Sequence, residues 1–265
     1  MRIRIRTSKL STWARVLGLI ALSSFIFAIF LHREQTITSE TFHLIFLIIS
    51  TIALLALLLG LAAYIQLWFS GDKGWKRASI GTIAGIICLT PLIYGAVEAK
   101  KYPNISDVST NTSINISLIS TIAKKKNIKA ISQNELLIIF PNLIDRNYPL
   151  NNEIVFTLVE KLIIKNGWKI INKQAPNEIK PIGQINALEK TLFGWQDEIA
   201  ILITANDEGS TISMRSTSLV AENDLGANGK RIEIFLLDLD ESINKYSSKT
   251  LTLEPAATPA IITGN

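Results

Sequence analysis

Three long apolar runs, separated by short polar breaks, fill the first hundred residues, over 14–31, 41–69 and 78–97. A helix rising about 1.5 Å per residue needs about 20 apolar residues to cross a hydrocarbon core of about 30 Å. The second run has that length without a formal charge. Trp68 and Phe69 sit at its end, where an interfacial aromatic belongs. The third is also uncharged and holds Pro91, whose missing donor neighbouring helices can compensate. The first is the shortest and carries Arg15 near its start. No small-x-small cleavage site follows it, so it reads as a retained helix and not as a cleaved signal peptide.

After residue 97 the pattern changes. The stretch 98–150 is polar, Asn- and Ser-rich and weakly periodic, with a basic run at Lys124, Lys125 and Lys126 and Asn-x-Ser/Thr triplets at Asn104, Asn111 and Asn115. A helix then follows. Asn151 and Asn152 offer its N-cap, Ile154, Val155, Leu158, Val159, Leu162 and Ile163 form one apolar stripe, and Gly167 stands past its end. Strand patterns are read at 168–173, 182–191, 198–205 and 211–219, the last two joined by the turn Asn206 to Ser210 as a hairpin. Ile232, Phe235, Leu236, Leu239 and Ile243 mark one buried face of a closing helix. From 246 onward periodicity fades, and the chain reads as a disordered tail.

The expected fold class is therefore α+β. An N-terminal block of three transmembrane helices (1–97) precedes a two-layer domain (98–245) with an antiparallel sheet of about four strands and two helices.

Charge places this architecture. Residues 1–97 carry nine Lys+Arg against three Asp+Glu, while 98–265 carry eighteen against nineteen. The basicity belongs to the membrane flanks, and the second segment has no positive field to draw a phosphate backbone, so nucleic acid is not expected as a partner. Arg2, Arg4, Arg6, Lys9 and Arg15 precede the first helix. Lys73, Lys76 and Arg77 lie between the second and third, and only Arg33 lies between the first and second. That alternation puts the N-terminus and second connection in the cytoplasm and the 98–265 segment outside, against the minority vote of Lys100 and Lys101. In a bacterial cell this is a multi-pass inner-membrane protein with a periplasmic domain. Gly81 and Gly85 form a GxxxG that serves packing within the three-helix block or, alternatively, a homo-oligomer.

The stretches PNISDVST (Pro103 to Thr110), EKTLFGWQDE (Glu189 to Glu198) and MRSTSLVAENDLGANGKRI (Met214 to Ile232) resemble the bacterial family called domain of unknown function 1499. The resemblance spans about residues 100–245. Leu219, Val220 and Ala221 follow Ser218 where the family has Arg then Val-Gly, which removes a second guanidinium from the hairpin. Asp197 and Glu198 stand where the family has two aspartates.

The candidate chemistry gathers in the late block. Arg215, Ser216, Asp224, Gly226, Asn228 and Arg231 could hold an anionic or polar ligand, with Asp224 as N-cap of the closing helix. A purely structural network is the competing reading, in which Arg215 and Arg231 pair with Asp197, Glu198 or Asp107. His32 and His43, the only histidines, and Cys88, the only cysteine, fall in the membrane block. Ser-His-Asp, Cys-His and ordinary zinc chemistry are therefore not expected in the later domain, and no metal or cofactor is expected. Three readings stay open: a binding or interaction module for a small anionic ligand or an envelope partner, a carboxylate acid/base enzyme, and a membrane-assembly component.

Overall fold

The computed structural model describes residues 6–120 and 131–253. The basic run at 124–126 and the chain from 254 on lie outside them. Two compact units form. One comprises residues 1–106 with 190–197 and 218–226; the other comprises 107–189, 198–217 and 227–265.

In the first unit, α1 (Lys9–Arg33), α2 (Ser39–Ser70) and α3 (Trp75–Lys101) are long and apolar enough to cross a membrane. Each extends beyond its apolar run because polar caps continue the backbone pattern. Ser8 and Thr38 cap the first two, and Gly71 ends α2 in the left-handed region at φ 67°. The seam of the bundle is made of small residues. On α1 the buried positions are Ser11, Ala14, Gly18, Ala21, Phe25, Ala28 and His32, a strict alternation of three- and four-residue steps. Ala53, Ala56, Gly60 and Ala63 repeat that spacing on α2. Large apolar side chains point outward instead: Leu47 is 63% exposed and Ile65 64%. A water-soluble bundle would invert this arrangement. Small residues at close-packed seams and bulky ones facing out suit lipid as the solvent.

Gly81 lies against the Ala14 backbone of α1, and Gly85 against Ala53 and Leu57 of α2. Both glycines are thus spent inside the bundle, where an added Cβ would meet backbone atoms at 2.4 and 2.8 Å. Cys88 is fully buried among Ala21, Phe25 and Ala53. At one end of the bundle Thr7 bridges to Lys73, so the residues before α1 pair with the α2–α3 connection.

The second unit is built on a sheet of six strands: β1 (Asp107–Ser109), β2 (Arg146–Tyr148), β3 (Lys169–Gln174), β4 (Ile182–Lys190), β5 (Gln196–Asn206) and β6 (Gly209–Ser218). The path runs β1-β6-β5-β4-β3, and β2 also pairs with β6. The four longer strands fall where hydrophobic alternation places them. The other two are a correction to the four-strand expectation. They are three residues each, too short for any period to be read, and exist because β6 offers one free edge. Asp107–Ser109 takes positions 215–217 of that edge, and Arg146–Tyr148 takes positions 210–212. The weakly periodic stretch 98–150 therefore contains order, including α4 (Gln133–Ile139), which Ser132 and Glu135 close with a capping box.

Helix α5 (Asn152–Lys165) is capped by Asn151, and Gly167 follows it at φ 72°. Helix α6 runs over Ala227–Leu253, eight residues into the stretch read as a tail, so the expected tail boundary at 246 is wrong. Fading hydrophobic periodicity removes the evidence for a buried face, not the helical backbone itself.

An extended strap, residues 115–120, lies against one face of the sheet without joining it as a strand. Side chains of the sheet bond its backbone instead. Arg215 Nη1 donates to Ile116 O at 3.0 Å, and Gln184 and Asn186 donate to Ser117 O at 2.8 and 2.9 Å. Glu198 accepts from Ile119 N at 2.6 Å and Ser120 N at 2.9 Å. Buried Glu198 and Asn186 are thus stand-ins for ladder partners, which the strap's backbone needs once it is out of water.

Candidate functional site

Adjacent strand residues face opposite sides of a sheet, and β6 uses this to separate two members of the expected cluster. Arg215 points toward the strap. Its Nε and Nη2 hold Asp107 at 3.0 and 2.6 Å, diagonally across the β1–β6 pairing. Those hydrogen bonds, with burial opposing them, hold the guanidinium pKa above its ordinary value. Ser216 points the other way. Its Oγ donates to Asn228 Oδ1 at 2.6 Å, and Arg231 Nη1 donates to both Ser216 Oγ (2.9 Å) and Asn228 Oδ1. Ser216 and Asn228 are fully buried. Arg231 Nε meets Glu189 Oε2 in an ion pair. Glu189, brought within reach by β4, is thus a carboxylate partner of Arg231.

Asp224 and Gly226 belong to the unit of the three helices. Helix α6 begins at Ala227. The Asp224 carboxylate accepts from Gly226 N–H at 2.9 Å, and its own N–H donates to Ile105 O. Gly226, at φ 79°, is a required glycine. An added Cβ would meet the Tyr102 ring at 2.5 Å.

The six expected residues thus divide three ways: Arg215 beneath the strap, Ser216 with Asn228 and Arg231 at the opposite face, and Asp224 with Gly226 in the other unit. Arg231 also lines a cavity of about 320 Å³ with Lys230, Glu189, Asn166, Trp168 and Phe235. The Trp168 and Phe235 rings stack there with centroids 5.2 Å apart. Trp168 and Glu189 were legible in the sequence only as strand residues. Their convergence on the first turns of α6 depends on the sheet.

The acidic pair of β5 is deeply buried: Asp197 is 3% exposed and Glu198 0%. Both Glu198 oxygens accept hydrogen bonds, from Ile119, Ser120 and Asn186. Glu198 thus supports the strap from within the sheet.

The membrane-block histidine His32 also has partners that sequence reading did not find. It is 1% exposed, stacks on Phe42, and meets Phe193 O at 2.6 Å and Ser39 Oγ at 3.0 Å. The carbonyl can only accept, so Nδ1 carries a proton toward it, and Nε2 bonds the Ser39 hydroxyl.

No curated protein matches the chain. Residues 144–239, from just before β2 into α6, match the family model described as a protein of unknown function, DUF1499. Strands β2 to β6, α5 and the Ser216–Asn228–Arg231 cluster all fall within that match, and β1 lies before it. The stretch similar to DUF1499 thus follows three apolar helices in the same chain.

Proposed function

We propose that this is a multi-pass inner-membrane protein with a cytoplasmic N-terminus. Its DUF1499 domain faces the periplasm and works as a binding or interaction module for a small anionic or polar ligand, or for an envelope partner. The basic flanks support the orientation: the bridge between Thr7 and Lys73 gathers the N-terminal and second-connection residues at one end of the bundle.

The observation that carries the binding reading is the cavity at the start of α6, where Lys230 and Arg231 stand beside the Trp168–Phe235 stack. A flat aromatic wall with cationic neighbours suits a ligand that has both an apolar body and a negative group. Purified full-length protein titrated with a panel of small carboxylates and phosphates tests it. Trp168→Ala and Lys230→Ala should each weaken binding at least tenfold, whereas Arg215→Lys, on the other face of β6, should leave it unchanged. Equal affinity in all three variants removes the cavity as the site. A reporter enzyme fused after Asn265 and active only in the cytosol removes the orientation.

A further inference from the structure

The tip of the β4–β5 hairpin, residues 191–195, packs as part of the three-helix unit, and its bonding is that of a segment kept from water. All five carbonyl oxygens have a partner. Arg33 Nη1 donates to Thr191 O at 2.8 Å and Leu192 O at 3.0 Å. His32 Nδ1 donates to Phe193 O and Gln35 Nε2 to Gly194 O. Thr191 N–H closes the turn on Trp195 O at 2.9 Å. A turn at a protein surface ordinarily leaves several of these groups to solvent, whereas in hydrocarbon each unpaired group costs several kcal/mol.

Depth gives a second, independent argument. The Phe193 ring lies 6.2 Å from that of Phe25. Phe25 precedes Leu31, the end of the apolar run, by six residues, or about 9 Å of helix. Phe193 packs against the same cluster as Phe25, Phe42 and Ile49. Beside it Leu192 is 74% exposed, a large outward-facing apolar side chain like those on α1 and α2.

We infer that this tip is a second membrane attachment: a short re-entrant turn seated in the bilayer against the ends of α1 and α2, with Leu192 in contact with lipid acyl chains. Its partner is the bilayer itself. Arg33, at the helix end, takes the carbonyls that lipid cannot, and Trp195, packed on His32 and Phe42, sits at the level of the interface. The inference is independent of the ligand cavity and of which face of the membrane carries the domain.

Site-directed spin labelling of the full-length protein in proteoliposomes decides it. Single cysteines are placed at Leu192→Cys, at Leu54→Cys on the outer face of α2, and at Ile179→Cys, which is 91% exposed, each with Cys88→Ala. A label at 192 should collide with dissolved oxygen and lose collisions with an aqueous nickel chelate, as at position 54. Greater relaxation by the chelate, as at position 179, overturns the inference. If position 54 itself behaves as aqueous, α2 does not span and the inference falls with it.

Discussion

Arg215 reaches diagonally from β6 to Asp107 on β1, with Nη2 2.6 Å from Oδ2 and both side chains largely out of water. The pair closes the sheet edge and supports the strap, since the same guanidinium donates to Ile116 O. Asp107→Ala leaves that cation without its carboxylate and should cost about 2 kcal/mol. This is less than a fully buried pair, because Arg215 keeps some solvent contact. Thermal unfolding of Asp107→Ala, Arg215→Ala and the double variant checks it. The double variant should be destabilised by clearly less than the sum of the singles.

The Tyr148 hydroxyl donates to Asp240 Oδ1 at 2.6 Å. Burial first, then this hydrogen bond and the Asp240 charge, push its pKa well above the ordinary 10.0. A raised folded-state value means that the stabilisation is fully present below about pH 10 and is lost as pH rises past it, because the unfolded chain releases the proton first. Stability should therefore fall on the alkaline side in wild type. Tyr148→Phe should show a flatter alkaline limb from a starting point about 1 kcal/mol lower. Denaturation at a series of pH values reads both.

Glu198→Gln is isosteric, yet it turns an amide NH₂ toward donors that need an acceptor, Ile119, Ser120 or Asn186. It should destabilise by about 1–3 kcal/mol and expose the strap to protease. A protein that unfolds at the wild-type temperature, with the strap protected, would contradict a structural role for Glu198.

At Gly81 an added side chain meets the Ala14 backbone of α1. Gly81→Val should lower stability in detergent through loss of α1–α3 packing, whatever the oligomeric state. A variant that keeps monomer stability and loses only self-association would return Gly81 to an intermolecular interface.

Gly194 stands at φ 97°, with the Arg33 backbone 2.8 Å from where a Cβ would lie. Gly194→Ala should cost about 1 kcal/mol or more and loosen the turn against α1. Protease cleavage within residues 191–195 in the full-length protein should rise severalfold.

Much of this architecture is legible along the chain because it repeats locally. The three apolar runs, the stripe from Ile154 to Ile163 and the alternation over 198–205 each carry their period within one element. Even the opposed directions of Arg215 and Ser216 follow from strand geometry. Less visible was the small-residue seam from Ser11 to His32. Its three- and four-residue spacing is present in the sequence, but the bulky lipid-facing residues around it dominate the pattern.

The chain by itself determined the five long helices and the four longer strands, where the positive charge concentrates, and that histidine and cysteine stay out of the later domain. Only the tertiary structure decided that Asp107 faces Arg215, that Glu189 faces Arg231, and that Glu198 bonds the backbone of a strap. It also decided that a turn at Phe193 completes His32, 161 residues earlier. The physical reason is range. Helical and strand periods are set by neighbours a few residues apart, whereas a buried donor or acceptor takes whichever partner the packed elements bring to it.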